Sequence, residues 1–169
     1  MFAPPLFRQV SLPPDVAGQL YLHSLPGRYE PFAHCRAALE RHGVTRVVSL
    51  LALDEIAQRS PEYAEAITAA TLPCAWEAFP IPDFGVPSDM GQFAALVGRL
   101  AEGVQAGERV LIHCGAGIGR TGTVALCLLL VLGIPMAEAE RAVRAAGAGP
   151  ETAGQRRWVE GFADAERTD

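Results

Sequence analysis

Lysine is absent from the 169-residue sequence, and all 14 basic residues are arginine. This absence excludes a lysine nucleophile and a lysine phosphate clamp, so any anion-binding role falls to arginine. Cysteine is scarce, and it forms no CxxC pair and no Cys/His spacing typical of zinc. A chain of this length needs no disulfide framework, so the sequence predicts reduced thiols, a cytoplasmic location and no metal or other cofactor. The four cysteines are Cys35, Cys74, Cys114 and Cys127.

Long apolar runs and an excess of positive charge are also missing. The longest apolar stretch, residues 124–134, is too short to span a bilayer and predicts a buried core helix instead. Residues 1–14 lack an apolar run behind basic residues, so we expect no signal peptide. The formal net charge is −5, which argues against a nucleic-acid partner. We therefore expect no membrane span and no bound nucleic acid. A monomer is also expected.

The composition and the order of the patterns predict the fold class. Half of the residues are hydrophobic, and the length fits one domain over residues 1–169. Residues 1–18 are rich in proline and are expected to form an arm or an edge segment. Strand patterns alternate with helix patterns along the remainder of the chain. This alternation predicts an α/β domain with a central, mostly parallel sheet and helices on both faces.

The individual elements follow from periodicity and from turn residues. The predicted strands are residues 19–22, 45–51, 72–79 and 109–113. Residues 80–87 contain three prolines and one glycine, which predicts a loop. The predicted helices are residues 32–42, 54–70 with an interruption near Ser60 and Pro61, 88–105 with Ser88 as the N-cap, 120–132, one beginning at Pro135, and 151–165.

The most informative segment is His113–Thr121, with the sequence His-Cys-Gly-Ala-Gly-Ile-Gly-Arg-Thr. A cysteine with an arginine six residues later is expected about 0.3 times by chance in this composition. The histidine before the cysteine, the glycine in the middle and the threonine after the arginine lower that chance to about 10⁻⁴ or less. The strand pattern before the segment and the helix pattern after it strengthen the case for a functional loop.

A strand-to-helix loop directs successive backbone N–H groups toward one point, and the helix N-terminus adds a partial positive charge. The three glycines let the backbone turn inward, and the Arg120 guanidinium can bind two oxygens at once. The same environment is expected to favour the thiolate of Cys114, which makes it the predicted nucleophile. The predicted ligand is a phosphoryl group, bound by Gly115, Ala116, Gly117, Ile118, Gly119 and Arg120.

This segment resembles the His-Cys-x-x-Gly-x-x-Arg-Thr signature of the protein tyrosine and dual-specificity phosphatase superfamily. The resemblance covers residues 79–130. It implies a compact dual-specificity-type fold that hydrolyses a phosphorylated protein or a small phosphomonoester through a cysteinyl-phosphate intermediate. It also implies that the Thr121 hydroxyl bonds the Cys114 sulfur and stabilises it as a leaving group. His113 would point to the opposite side of its strand, so it is expected to organise the loop and not to act as a base.

Asp83 is the candidate general acid. It lies in the proline-rich loop of residues 80–87, and members of the family carry an aspartate on a mobile loop at a similar distance before the cysteine. We expect Gly85 to act as a hinge of this loop and Phe84 to pack against the carboxyl group and desolvate it. A simple turn role for Asp83 is the alternative.

The resemblance also implies that Gln155, near the start of the last helix, orients the hydrolytic water. An exposed helical glutamine is the alternative. The neighbouring Arg156 and Arg157 are expected at the surface, as are three histidines without a surrounding motif, His23, His34 and His42.

Three alternatives to a protein phosphatase remain. An inositol phosphate or phosphoinositide phosphatase is disfavoured because such relatives carry extra basic residues in the loop, whereas Arg120 is the loop's only cation here. A non-catalytic phosphopeptide-binding module is disfavoured by the intact Cys114, Arg120 and Asp83. A redox enzyme or arsenate reductase requires a second thiol close to the nucleophile, for which the candidates are Cys35, Cys74 and Cys127.

Overall fold

A computed structural model describes residues 5–168. Residues 1–4, which belong to the predicted arm, and residue 169 lie outside the described residues. The strands are β1 Arg8–Val10, β2 Gln19–His23, β3 Arg46–Ser49, β4 Ala75–Ala78 and β5 Arg109–His113. The helices are α1 Phe32–Arg41, α2 Leu53–Arg59, α3 Pro61–Thr68, α4 Met90–Gln105, α5 Gly119–Val131, α6 Met136–Ala145 and α7 Ala153–Thr168.

The five strands form one sheet in the order β1-β2-β5-β3-β4. β1 pairs with β2 in antiparallel fashion, and the remaining neighbours are parallel. The predicted α/β class with a mostly parallel sheet is confirmed. Because β3, β4 and β5 are parallel, the loops that follow them meet at one edge of the sheet. The glycine-rich segment follows β5 and the proline-rich loop follows β4, so the fold brings the two predicted catalytic segments together.

Helices cover both faces of the sheet, and the side chains of β5 alternate between the two layers. Val110 and Ile112 pack in the core formed with α4–α7, whereas Leu111 packs in the core formed with α1–α3. The first eleven residues of α5 are buried, as the apolar pattern predicts. Within residues 5–168, no helix is long and apolar enough to cross a membrane.

Two helix boundaries show where local chemistry decides the structure. α2 ends at Arg59 and α3 begins at Pro61, so the predicted interruption is confirmed, because proline fits the first turn of a helix but not its interior. The predicted cap of α4 by Ser88 is wrong. Asp89 is the N-cap, and its Oδ1 accepts a hydrogen bond from the Gln92 N–H at 2.9 Å, which contributes about 1 kcal/mol to helix stability.

Candidate active site

The segment of residues 114–120, here called the phosphate loop, connects β5 to α5. Cys114 is 2% exposed at the start of the loop, and its Sγ accepts a hydrogen bond from the Gly117 N–H at 3.2 Å. Gly117 has φ of +75°, and a Cβ there would lie 2.4 Å from the His23 carbonyl oxygen. Both the left-handed backbone and the close approach require glycine at this position. The loop therefore presents an N–H group to the candidate nucleophile through a residue that cannot carry a side chain.

His113 is fully buried on the side of β5 opposite to the nucleophile. Its Nδ1 lies 3.3 Å from the Cys114 carbonyl oxygen and its Nε2 lies 2.9 Å from the Tyr63 hydroxyl. A carbonyl only accepts, so Nδ1 carries the proton and Tyr63 donates to Nε2, while Trp76 Nε1 donates to Tyr63 at 3.0 Å. Burial lowers the pKa of His113 to about 3, which keeps the ring neutral. This geometry supports an organising role and not a role as a base.

Arg120 joins the phosphate loop to the proline-rich loop of residues 80–87, here called the acid loop. The arginine is 5% exposed. Its Nη1 donates to the Ile81 carbonyl oxygen at 2.9 Å, and its Nη2 lies 3.2 Å from Asp83 Oδ1. The structure therefore brings the predicted phosphate ligand and the predicted acid into direct contact.

The surroundings of the Asp83 carboxyl differ from the expectation. Its side chain is 61% exposed. Phe84 has φ of +57° and is 62% exposed, so its ring turns toward solvent and does not cover the carboxyl group. The predicted desolvation by Phe84 is therefore wrong. The Gly85 N–H donates to the Pro82 carbonyl oxygen at 2.8 Å, which makes this part of the acid loop a tight turn.

Gln155 is fully buried, so the alternative of an exposed helical glutamine is wrong. Its Oε1 accepts from the Glu151 N–H at 2.7 Å, and its Nε2 donates to the Gly85 carbonyl oxygen at 3.2 Å. The side chain thus ties the start of α7 to the acid loop, at the wall of the same cavity as Cys114. Arg156 and Arg157, which follow it, are exposed as expected.

Thr121 does not make the bond that the family resemblance implies. The residue is buried, and within residues 5–168 its hydroxyl oxygen has no hydrogen-bond partner. The neighbouring Thr123 hydroxyl donates to the Gly119 carbonyl oxygen at 2.7 Å instead. The predicted hydrogen bond between Thr121 and the Cys114 sulfur is therefore not formed in this structure.

Arg8 is a residue of the site that the sequence analysis missed. It extends from β1, and its Nη2 donates to the Gly117 carbonyl oxygen at 2.6 Å. Its Nη1 donates to the carbonyl oxygens of Ala146 and Gly147 at 2.9 and 3.0 Å. Arg8 thus fixes the same glycine whose N–H bonds the Cys114 sulfur. Its position in a proline-rich segment, 109 residues before Gly117, left no local signal of this contact.

Two further arginines lie beside the phosphate loop. A Cβ placed on Gly115 would lie 3.3 Å from Arg28 Nη1, 3.4 Å from Arg120 Nη2 and 3.6 Å from Arg59 Nη1. Arg120 is the only cation within the loop sequence, but the folded site adds Arg28 from the β2–α1 connection and Arg59 from the end of α2. The single cation of the loop therefore does not argue against an inositol phosphate substrate, because the fold supplies charges that the loop itself lacks.

One cavity of about 290 Å³ is lined by Cys114, Arg120 and Asp83. The other residues of its wall are Arg28, Arg59, Phe84, Gly115, Ala116, Gly119, Glu151 and Gln155. A larger cavity of about 490 Å³ lies between α5, α6 and α7. Its wall includes Ile118 of the phosphate loop but not Cys114. The chemistry of the site therefore belongs to the smaller cavity.

The expected surface location of His23 is wrong. His23 is 5% exposed, and its Nε2 lies 3.0 Å from Glu30 Oε1. The Cys35 thiol donates to the same carboxylate oxygen at 2.5 Å. The ligand atoms of the three side chains all lie within 4.8 Å of one another. Their mutual hydrogen bonds account for the cluster, because a buried polar group needs a partner.

His34 and His42 differ from each other in exposure. His34 is exposed, as expected, whereas His42 is half-buried because its ring packs against Phe7 and Tyr21.

The other cysteines have the environment of inert thiols. Burial raises the pKa of Cys74 to about 11. Burial also raises the pKa of Cys127 and of Cys35, and the Glu30 carboxylate adds to the effect at Cys35. A raised pKa leaves little thiolate, which is the reactive form. This environment gives no support to a resolving-thiol role for these three residues.

Comparison with known proteins points to one family. The family model PTP-SAK, described as Swiss Army Knife protein, DSP-PTPase phosphatase domain, matches residues 17–160. Cyclin-dependent kinase inhibitor 3 from Rattus norvegicus is 45% identical over 53 residues, which are 31% of this chain and 24% of that protein. The protein of the same name from Sus scrofa is 43% identical over the same shares. The aligned part thus spans about a quarter of the length of these relatives.

Solved structures share the fold over most of the chain. Kinase associated phosphatase with its catalytic-site cysteine replaced by serine superposes with a TM-score of 0.81 at 22% identity, over 99% of this chain and 98% of that one. Tk-PTP in the active form gives a TM-score of 0.63 at 26% identity, over 90% and 99% of the two chains. Human DUSP28 gives 0.66 at 22% identity, over 98% and 97%.

Proposed function

From the premise that this chain belongs to the DSP-PTPase phosphatase domains of the cysteine-dependent protein tyrosine and dual-specificity phosphatase superfamily, we propose that it hydrolyses phosphomonoesters with Cys114 as nucleophile. One observation carries this assignment. The Cys114 sulfur, the Arg120 guanidinium and the Asp83 carboxylate share one cavity, with Arg120 in contact with Asp83 at 3.2 Å. This combination supports turnover and not binding alone, because a nucleophile, an anion ligand and a proton donor are all present.

In the first step the Cys114 thiolate attacks phosphorus, and an S–P bond forms as the bond to the ester oxygen breaks. Asp83 gives its proton to that leaving oxygen. The N–H groups of the phosphate loop and the guanidinium of Arg120 stabilise the negative charge on the three remaining oxygens. The products of this step are the free alcohol or phenol and a cysteinyl-phosphate.

In the second step water attacks phosphorus and the S–P bond breaks, which releases inorganic phosphate and restores the Cys114 thiolate. Asp83, now ionised, takes the proton of the water. Gln155 lines the same cavity and is proposed to orient this water with its amide group. Thr121 is proposed to stabilise the departing sulfur, which requires its hydroxyl to reorient because it has no partner within residues 5–168.

The contact between Arg120 and Asp83 suggests how substrate binding prepares the acid. A phosphoryl group and the Asp83 carboxylate are both anionic ligands of one guanidinium, so they compete for it. Arg120 keeps its bond to the Ile81 carbonyl oxygen through Nη1, whereas Nη2 is free to exchange Asp83 for a phosphoryl oxygen. Released from Arg120, Asp83 takes up a proton from solvent and then lies at the cavity, where the leaving oxygen of the ester would be.

The substrate, the cellular location and the oligomeric state are also part of the proposal. The family implies a phosphorylated substrate. We propose a cytoplasmic location because the mechanism needs a reduced Cys114, and thiols stay reduced in that compartment. We also propose a monomer of one domain over residues 1–169. The formal net charge of −5 argues against a nucleic-acid partner.

The proposed function is tested by a kinetic panel of phosphotyrosyl peptides, phosphoseryl peptides and inositol phosphates, assayed with a reducing agent. We expect release of inorganic phosphate from at least one class without added metal. A failure to release phosphate from any of them, or turnover that requires an added metal ion, would contradict the assignment.

Replacement of Asp83 by asparagine is expected to slow esters with poor leaving groups most. The amide cannot donate a proton to the leaving oxygen, and general acid catalysis contributes about 10²–10⁴-fold. We expect kcat/KM for phenyl phosphate to fall at least about 10²-fold and kcat/KM for 2,4-dinitrophenyl phosphate to fall about tenfold or less. The measurement is kcat/KM over a series of aryl phosphates.

Asp15→Asn is the matched control for this prediction, because it makes the same change at an exposed residue outside the cavity. It should leave the whole series unchanged. Equal slowing of all esters in Asp83→Asn would argue against an acid role.

Replacement of Arg8 by alanine is expected to lower kcat/KM for an aryl phosphate about tenfold, the loss expected from about 1.4 kcal/mol of charge-assisted hydrogen bonding. The Gly117 carbonyl loses its partner, and the N–H that bonds the Cys114 sulfur is held less firmly. The pH midpoint of Cys114 alkylation by iodoacetamide should therefore move upward. Arg8→Lys should restore part of both effects, since it keeps the charge.

Arg109→Ala serves as the comparison variant for Arg8. It also removes an arginine that donates to a backbone carbonyl, that of His42 at 2.9 Å, but it lies at the start of β5, the strand end away from the phosphate loop. It should leave the alkylation midpoint in place. If Arg8→Ala also leaves that midpoint in place, Arg8 only stabilises the fold.

A further inference from the structure

Three guanidinium groups converge beside the phosphate loop. The Nη atoms of Arg28, Arg59 and Arg120 lie within 3.3–3.6 Å of the point where a Cβ on Gly115 would stand. They come from distant parts of the chain, the β2–α1 connection, the end of α2 and the start of α5. Like charges near one point repel one another, and a bound anion would offset that repulsion.

Arg28 and Arg59 each keep a guanidinium nitrogen that is not bound to a carboxylate. Within residues 5–168, Arg28 has no carboxylate within 4.0 Å, and its guanidinium carbon lies 4.8 Å from the centre of the Tyr29 ring. Arg59 Nη2 lies 3.7 Å from Glu55 Oε1, while its Nη1 faces Gly115. Such exposed contacts are weak. Both side chains therefore keep donors free to bind a ligand at the cavity.

The phosphoryl group that reacts does not need these two residues. It lies over Cys114 in the proposed mechanism, where the loop N–H groups and Arg120 provide its ligands. The acidic groups at the same cavity are Asp83, which pairs with Arg120, and Glu151. Neither of them makes an ion pair with Arg28 or Arg59 within the described chain. Two cations thus remain for a second anionic group.

We propose that Arg28 and Arg59 form a subsite for a second phosphate group on the same small substrate molecule, so that the preferred substrate is a ring-sized bisphosphate. This inference rests on the proposed function of Cys114. The closeness of both arginines to Gly115, the residue next to the nucleophile, requires the second phosphate to be near the first. A cavity of about 290 Å³ has room for one ring with two phosphates. Arginine suits this role because its planar fork binds two phosphate oxygens at once.

The bisphosphate ring can come from two sources, a free cyclitol or the headgroup of a lipid. The two phosphates are the same in both. The experiment therefore compares myo-inositol 4-phosphate with myo-inositol 4,5-bisphosphate in solution, and the corresponding dioctanoyl phosphatidylinositols as the lipid form. The measured quantity is the ratio of kcat/KM for the bisphosphate to kcat/KM for the monophosphate, from phosphate release by the full chain with a reducing agent.

We expect this ratio to be about 100 for the unmodified protein with at least one of the two substrate pairs, since each of the two arginines favours the second phosphate by about tenfold. Arg28→Ala and Arg59→Ala should each lower the ratio about tenfold, and the double variant should bring it close to one. Arg141→Ala makes the same charge change on α6, away from this cavity, and should leave the ratio unchanged. A ratio that is high only for the lipid or only for the free ring identifies the source.

Two results would contradict the proposed subsite of Arg28 and Arg59. One is a ratio near one in the unmodified protein for both sources. The other is an equal loss for monophosphate and bisphosphate in the arginine variants, which would mean that both arginines bind the reacting phosphate. A preference for a doubly phosphorylated peptide over both inositol pairs would likewise contradict it.

Failure of the proposed function gives a different result, because no substrate would then be hydrolysed in a Cys114-dependent way. If the monophosphates are turned over through Cys114 and the ratio stays near one, only the subsite is wrong.

Discussion

Cys114→Ser is expected to lower kcat/KM for an aryl phosphate by on the order of 10⁴-fold or more, while the protein still binds inorganic phosphate. A serine hydroxyl is far less acidic than a cysteine thiol and stays protonated near neutral pH, so the nucleophile is lost. The Gly117 N–H, which lies 3.2 Å from the Cys114 sulfur, and the Arg120 guanidinium remain in place. The measurements are steady-state phosphate release and a phosphate Kd from calorimetry.

The matched control is Cys74→Ser. Cys74 is half-buried and lies outside the cavity of the site, so the same chemical change should leave kcat/KM within about twofold, the size of ordinary variation at such positions. Full activity in Cys114→Ser would remove the mechanism altogether. Loss of phosphate binding together with turnover would show instead that the variant loop is misfolded.

Arg120→Lys is expected to lower kcat for an aryl phosphate by about 10³-fold, at the upper end of what one stabilising donor of this kind contributes. A lysine ammonium is a point charge, and it cannot hold two phosphoryl oxygens and the Ile81 carbonyl oxygen in one plane. The contact with Asp83 at 3.2 Å would be lost as well, so the acid loop would lose one of its ties to the phosphate loop. The measurement is kcat at saturating substrate.

Arg36→Lys is the comparison for this change. Arg36 also donates to a backbone carbonyl, that of Thr71, but on the exposed surface of α1, and its replacement should not alter kcat. If kcat of the Arg120→Lys variant stays within tenfold of that of the unmodified protein, a positive charge alone is sufficient for this step of catalysis. The planar, two-oxygen geometry would then have no part in catalysis.

The parts of the site that could be predicted from the sequence are those encoded within one segment. The phosphate loop carries its glycines, its cysteine and its arginine within seven consecutive residues, so spacing and residue type define it. Strand alternation alone also predicts that the His113 side chain points to the side of β5 opposite to the nucleophile. The hydrogen bond between His113 and the Tyr63 hydroxyl, at 2.9 Å, agrees with this prediction. The alternation of strands and helices likewise predicts the mostly parallel sheet.

The parts that could not be predicted depend on contacts between distant segments. Arg8 meets Gly117 across 109 residues, and no local pattern marks that pairing. Arg28 and Arg59 each look like ordinary surface charges until the fold places them beside Gly115. Burial is equally non-local, as the histidine in β2 shows. His23 has no motif around it, yet Glu30 and Cys35 enclose it.

Two other differences come from backbone conformation. The expected packing of Phe84 on the Asp83 carboxyl does not occur, because Phe84 has φ of +57° and its ring turns outward. The family resemblance supplies the role of Thr121 but not its side-chain orientation, and its hydroxyl does not reach the sulfur in this structure. Residue type is thus a better guide to which residues surround the site than to the contacts that each one makes.

The order in which the chain is synthesised differs from the order of its strands in space. β5 lies between β2 and β3, so a ribosome makes the two flanking strands long before the strand that joins them. The contacts of Arg8 form later still, because the three residues whose carbonyl oxygens it binds follow it in the chain by 109, 138 and 139 residues. The nucleophile therefore leaves the ribosome without its full set of stabilising contacts. The site is completed only after the seventh helix, which carries Gln155, has begun to be synthesised.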